Sequence, residues 1–351
     1  MTKLLEAIGQ VKTARKEAES IMLARLLLRE ECLPYGAPEE ITELAEKNKV
    51  LLRAAYSLHV PSEIVSKAKN GVAEAFELHN RLTKLFKELG VSFAVLKSFD
   101  SLPDVGHDVD LLVPSVSDMR KAQAFLVQNL KARAVGLTHC DKLVGKFSCF
   151  IPGYAHDFEL YPTVSQMGEV HLDPNRVLTE SRRTFIEGSE VFLTSDPDRV
   201  LIRVVHAIFR HNFLKLSDIL DLLKLIRSCD RRDVLDRIDE AGICDAFLFY
   251  LGIISRFLRA CDVRNTQFEE LRKAADVRFG KSRLGLFQRD RLVLPYRIPI
   301  MALFLVFLLK AGREASRRRW RSSLTCLIAP PLKMVDYLVA ILRGGVKGGI
   351  W

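Results

Sequence analysis

No two cysteines of this chain stand as a Cys-x-x-Cys pair. The seven that are present (32, 140, 149, 229, 244, 261 and 326) are odd in number and scattered. That excludes a disulfide framework and a zinc knuckle, and it predicts a reducing, cytoplasmic setting. Long apolar runs are also missing. The longest uninterrupted one covers 298–309, about 12 residues where a membrane-spanning helix needs about 20. The first twenty residues carry charges throughout and lack the apolar core of a signal peptide. Neither an internal repeat nor a low-complexity tract is present. What remains is a core-forming composition, 48% hydrophobic and 27% charged over 351 residues, long enough for one large domain or two to three smaller ones.

The net charge of +10 is uneven. From Lys310 to Trp351 nine Lys or Arg stand against two acids, a net +7, which leaves +3 for all that precedes. An excess confined to one end predicts either a solvated basic face or an anionic partner there: a membrane surface, a nucleic acid or an acidic protein.

Periodicity divides the chain at 79/80, 195/196 and 290/291. Residues 1–79 read as helical, and a segment from Ser62, as N-cap, to about Glu88 ends at Gly90. Strand patterns follow at 91–98, 107–113, 146–151, 156–161 and 189–195. A helix is predicted over 117–130, with Ser117 as its cap. From 196 the pattern is helix after helix, at 196–212, 215–228, 231–240, 243–261 and 265–276. The expected class is α+β: a small mixed sheet at 80–195, flanked by N-terminal helices and a C-terminal helical domain. The segment 291–351 is apolar and then basic. Its run at 298–309 fits a buried core helix, or an interfacial anchor beside "RRRWR" at 317–321.

"GHDVDLLVP" at 106–114 carries the chemistry. In a strand, Asp108 and Asp110 point to one face and Val109 and Leu111 to the other. Two carboxylates held side by side need a positive partner. The preceding strand ends in "VLKSFDS", where Lys97 and Ser98 offer a charge and turn N–H groups suited to phosphate. A later strand, "AHDFELYP", supplies Asp157 and Glu159 on one face. Three such carboxylates form a hard-oxygen cage of the kind Mg²⁺ prefers, and two ions there would suit transfer from a nucleoside triphosphate (NTP).

"FAVLKSFDSLPDVGHDVDLLV" at 93–113 resembles the signature of the DNA polymerase β-like minimal nucleotidyltransferases. More narrowly, "LKS", "HDVDLLV", "FELY" and "HAIFRHNFLKLSDILDLL" (206–223) resemble an uncharacterised nucleotidyltransferase family found in bacterial and archaeal genomes. Ser98 stands where that family has Gly. The resemblance implies a polymerase β-like core that moves a nucleoside monophosphate from an NTP to an acceptor hydroxyl and releases pyrophosphate. It implies Asp108 and Asp110 on two Mg²⁺ ions, Glu159 or Asp157 as third carboxylate, and Lys97 and Ser98 on the triphosphate. A tRNA end, a protein side chain, a small metabolite and a glycan or lipid precursor all remain open as acceptor. A degenerate copy that docks a partner or an anionic membrane through its basic end is the alternative. His206 and His211, five residues apart on an α-helix, would point about 140° apart, too far to share a metal easily, and read as helix-packing or substrate-edge residues.

Overall fold

A computed structural model of the chain describes residues 2–33, 38–135, 139–166 and 168–342. Its centre is a seven-stranded mixed sheet built from β1 (Ala94–Val95), β2 (Asp108–Leu112), β3 (Arg133–Ala134), β4 (Phe147–Phe150), β5 (Asp157–Tyr161), β8 (Arg182–Ile186) and β9 (Ser189–Leu193). The order is β3-β4-β5-β2-β1-β9-β8. β2 runs antiparallel to β1 and parallel to β5, in a register that sets Asp108 beside Asp157 and Asp110 beside Glu159. Between β5 and β8 lie a small hairpin, β6 (Val164–Gln166) with β7 (Glu169–Leu172), and a short helix, α7 (Pro174–Thr179).

The two faces of the sheet belong to two different cores. On one face Val109, Leu111, Phe158 and Leu160 pack with Phe76, Leu82 and Phe86 of α4 (Ser62–Glu88), and with Met119, Ala122 and Leu126 of α5 (Val116–Asn129). The three- and four-residue spacing of those side chains gives each helix one apolar stripe, and the sheet covers it. On the acid-bearing face Leu96, Leu112 and Tyr161 join a larger core. That core unites α1 (Thr2–Leu28), α2 (Glu39–Lys47) and α3 (Leu51–Ala54) with the helices after residue 195. Those are α8 (Asp196–Val205), a π-helical turn (His206–His211), α9 (Leu216–Leu225), α10 (Arg231–Glu240), α11 (Cys244–Ala260), α12 (Thr266–Phe279), α13 (Ile300–Ser316) and α14 (Trp320–Leu342). Leu23 and Ile41 therefore share a core with Phe247 and Tyr250.

Several local expectations shift. The strand expected over 91–98 pairs regularly only at Ala94 and Val95, because the chain enters a turn after Leu96. Helix α5 starts from Ser115, whose hydroxyl accepts from Asp118 N, rather than from Ser117. Ser62 is the first residue of α4, and Pro61 stands at the cap. Strand β8, exposed along much of its length, has no counterpart among the predicted strands.

The apolar run at 298–309 becomes α13, which buries Ala302, Val306, Phe307 and Ala311. No helix among the described residues is long and apolar enough to cross a membrane.

Candidate functional site

The turn from Lys97 to His107 is pinned from below by a buried ion-pair lattice. Asp100 accepts from Arg199 Nε at 2.7 Å and lies 3.0 Å from Arg203 Nη2. Arg203 reaches on to Asp221 at 2.7 Å, and Arg53 meets the same carboxylate at 2.5 Å. Asp104 accepts from Leu52 N at 2.8 Å and Arg53 N at 3.1 Å, so its charge caps the first turn of α3. Buried charges of this kind persist only when paired, and here nearly every pair spans two elements. The lattice thus fixes the turn against α3, α8 and α9.

Above the lattice, the end of β1 and the start of β2 form one wall of a cleft. Asp108, Asp110, Lys97 and Ser98 line it. Lys97 Nζ lies 3.1 Å from Asp110 Oδ2 and donates to His206 Nε2 at 2.7 Å. Ser98 is buried, and its hydroxyl accepts from Asp110 N at 2.7 Å. Its φ is not positive, so the turn does not need the conformational freedom of a glycine at this position. Asp110 is buried with its second oxygen unpartnered, and that burial raises its pKa against the pull of Lys97.

Lys49, from the end of α2, and Lys215, from the start of α9, complete the cleft. Burial and the neighbouring lysines lower both ammonium groups, Lys215 to about 7. Lys49 Nζ approaches Gly106 so closely that a Cβ there would come within 2.9 Å. Three lysines facing two aspartates are thus the positive partners that the acid pair requires.

The two histidines do not point apart as an α-helical spacing predicts. Residues 206–211 form a π-helical turn, in which i and i+5 come into line, and the two rings meet edge to face with centroids 4.1 Å apart. Both line the cleft. Burial holds both imidazoles well below their ordinary pKa, so His206 is the neutral acceptor that Lys97 needs. Nothing in the sequence marks the extra residue. The one available signal was the pair of histidines itself.

Asp157 and Glu159 share the acid face with Asp108 and Asp110, as the register requires, yet neither lines this cleft. Glu159 is buried and fully engaged. Lys146 Nζ lies 2.5 Å from Oε1, while Tyr161 Oη donates to Oε2 and Arg210 Nη2 lies 3.4 Å from it. Those cations hold its pKa far below the usual carboxylate range despite burial. Asp157 is half-buried.

The two-ion cage expected from the sequence is therefore not assembled. Among the described residues no group of three His, Cys, Asp or Glu side chains could hold a metal ion. Asp108 lines the cleft beside Asp110, which keeps one oxygen unpartnered, whereas the oxygens of Glu159 are already taken.

No family model matches the sequence, and no curated protein is similar to it. Among solved structures, the chain is similar to an antigenic nucleotidyltransferase-like protein from Paracoccidioides brasiliensis. The identity is 14% and the TM-score 0.36, over 55% of this chain and 94% of that one.

Proposed function

We propose that the protein is a nucleotidyltransferase that binds the triphosphate of an NTP in the Lys49–Lys97–Lys215 cleft. The acceptor hydroxyl loses its proton to solvent as its oxygen attacks the α-phosphorus, the bond from that phosphorus to the bridging oxygen breaks, and pyrophosphate leaves. One observation supports this reading above the others: two strand-borne aspartates, Asp108 and Asp110, face three lysines across one cleft. Acids and bases set so close suit a ligand that brings both negative charge and a counter-cation.

In this reading the lysines bind and orient the phosphates, as positioning and electrostatics do in phosphoryl transfer generally. Ser98 keeps the β1 turn against Asp110, through its bond to the Asp110 amide. His206 fixes the direction of the Lys97 ammonium. Asp108 and Asp110 would hold one Mg²⁺, which supplies Lewis-acid polarisation of the phosphoryl oxygens. The acceptor lies among hydroxyl-bearing tRNA ends, proteins, metabolites and glycan or lipid precursors, in the cytoplasm.

A second reading has its own support. Glu159, which stands where a third carboxylate would serve as base, is neutralised by Lys146 and Arg210. A site of that kind can retain NTP binding without transfer.

The experiment that separates the two is incubation with each of the four NTPs, labelled at the α-phosphate, with Mg²⁺ and a cell lysate. It runs beside calorimetry of NTP binding. Label carried onto an acceptor supports the transferase. Binding without transfer supports the second reading, and binding of no NTP rejects both.

A further inference from the structure

We propose that the α13–α14 hairpin docks the protein onto a bilayer surface rich in anionic phospholipid, lying along the interface without crossing it. This inference stands apart from the proposed chemistry. It rests on which faces of the two helices are spent on the fold and which are not.

The inner face of α13 is fixed by a buried charge. Lys310 Nζ donates to Ala241 O at 2.7 Å and lies 3.0 Å from Glu169 Oε1 and 3.4 Å from Glu314 Oε1. A buried ammonium with two carboxylates and a carbonyl sets the rotation of the helix, since turning it would strand the charge. With that face inward, Ile300, Phe304 and Leu308, spaced by four, stand outward at 70%, 52% and 45% exposure. On α14, Cys326 and Ala329 are buried, while Leu324, Leu327 and Ile328 are 58%, 50% and 52% exposed. The two helices pack against each other, so their stripes belong to one hairpin. Among the described residues, 10 of the 21 large apolar side chains that are exposed lie on these two helices. A concentration of that kind marks an interaction surface rather than scattered exposure.

Charge decides what covers it. At the turn, Arg313 and Arg317 are taken by Asp245 at 2.9 Å and Asp239 at 2.5 Å, and Arg319 lies 3.5 Å from Glu314. Arg318 and Arg321 are exposed and, among the described residues, have no carboxylate partner. Arg321 stands three residues before Leu324 and seven before Ile328, which places all three on one helix face. Trp320, 68% exposed, lies between the two arginines. Apolar stripe, free arginines and an exposed tryptophan together make the pattern of an interfacial helix on anionic lipid. A second copy of the chain is the poorer occupant, because it would bring the unpaired Arg318 and Arg321 of both copies together.

The test is flotation of the full chain with vesicles of phosphatidylcholine containing about 30 mol % phosphatidylglycerol, against phosphatidylcholine alone. The wild-type chain floats only with the anionic vesicles. It is released at about 1 M salt, where the Debye length falls to about 3 Å. Removing the two free charges in Arg318→Gln/Arg321→Gln weakens binding about 25-fold, at about fivefold for each basic residue near the surface. Phe304→Glu/Leu324→Glu abolishes flotation, while Val277→Glu, at a still more open site on α12, floats as wild type does. Circular dichroism confirms that each variant is folded. Wild-type protein that stays with the pellet, or a Phe304→Glu/Leu324→Glu chain that floats normally, overturns the proposal. So does a dimer in solution that the same pair of substitutions splits.

Discussion

Asp110 and Glu159 are neighbours across one pair of strands, yet they occupy opposite electrostatic worlds. On the cleft side, Asp110 shares one lysine, leaves an oxygen unpartnered and has its pKa raised by burial. One strand over, Glu159 is held by Lys146, Arg210 and Tyr161, and its pKa is driven down. The sheet sets both acids at the same level and facing the same way. What separates them is the number of side-chain donors in direct contact with each carboxylate: Lys97 alone at Asp110, but Lys146, Arg210 and Tyr161 at Glu159. A carboxylate left short of partners is one that a ligand can complete, and a saturated one belongs to the scaffold.

The largest effect should come from the saturated side. Glu159→Gln strips Lys146 and Arg210 of their nearest carboxylate and leaves Lys146 only Asp141 at 3.8 Å, at a cost of about 3–5 kcal/mol in urea unfolding. The sign follows from the lowered pKa. The stabilisation is complete above the unfolded carboxyl value of about 4.3 and is lost as pH falls towards the folded one. The gap between wild type and variant therefore narrows in acid. A variant as stable as wild type at pH 7 would erase the distinction between the two acids.

Next in size is the cleft side. Asp108→Asn/Asp110→Asn should lower NTP-dependent labelling by about 10²–10³ while leaving stability at pH 7 unchanged or slightly raised. Asp110 with a raised pKa carries its ionisation as a cost, absent below the unfolded value and incurred as pH rises through the folded one. Strong destabilisation with normal NTP binding would move this pair to the scaffold as well.

A smaller effect sharpens the role of the lysines. Lys215, with a pKa lowered to about 7, is charged below that value and neutral above it. A triphosphate should therefore bind with proton uptake, and its affinity should fall as pH rises from 6 to 9. Lys215→Met should flatten that profile, as read by calorimetry in buffers of different ionisation enthalpy. The smallest effect belongs to Asp157, half-buried and outside the cleft. Asp157→Asn should shift stability by no more than about 0.5 kcal/mol and leave NTP affinity within twofold.

The acid face was legible because strand alternation is local: Asp108 and Asp110 must share a side, and Val109 and Leu111 must take the other. The long amphipathic helix ending at Glu88 was legible for the same reason. The counter-charges were not. Lys49, Lys146, Arg210 and Lys215 reach the acids from four separate elements, and no periodicity announces which lysine crosses to which carboxylate. Nor does any pattern reveal that Leu23 and Ile41 pack with helices more than 200 residues later. The histidines were lost to an assumption of 3.6 residues per turn, which fails at 206–211.

That wide turn behaves like an inserted letter in a reading frame. Everything in the helix up to Val205 is phased to the ion lattice through Arg199 and Arg203. Everything from His206 to His211 is phased to the cleft through His206 and to Glu159 through Arg210. Rewinding these six residues to the ordinary pitch at constant length would swing His211 from alongside His206 to about 140° away. The lattice and the cleft could not then both be satisfied. The wide turn is what lets one continuous stretch of chain serve both.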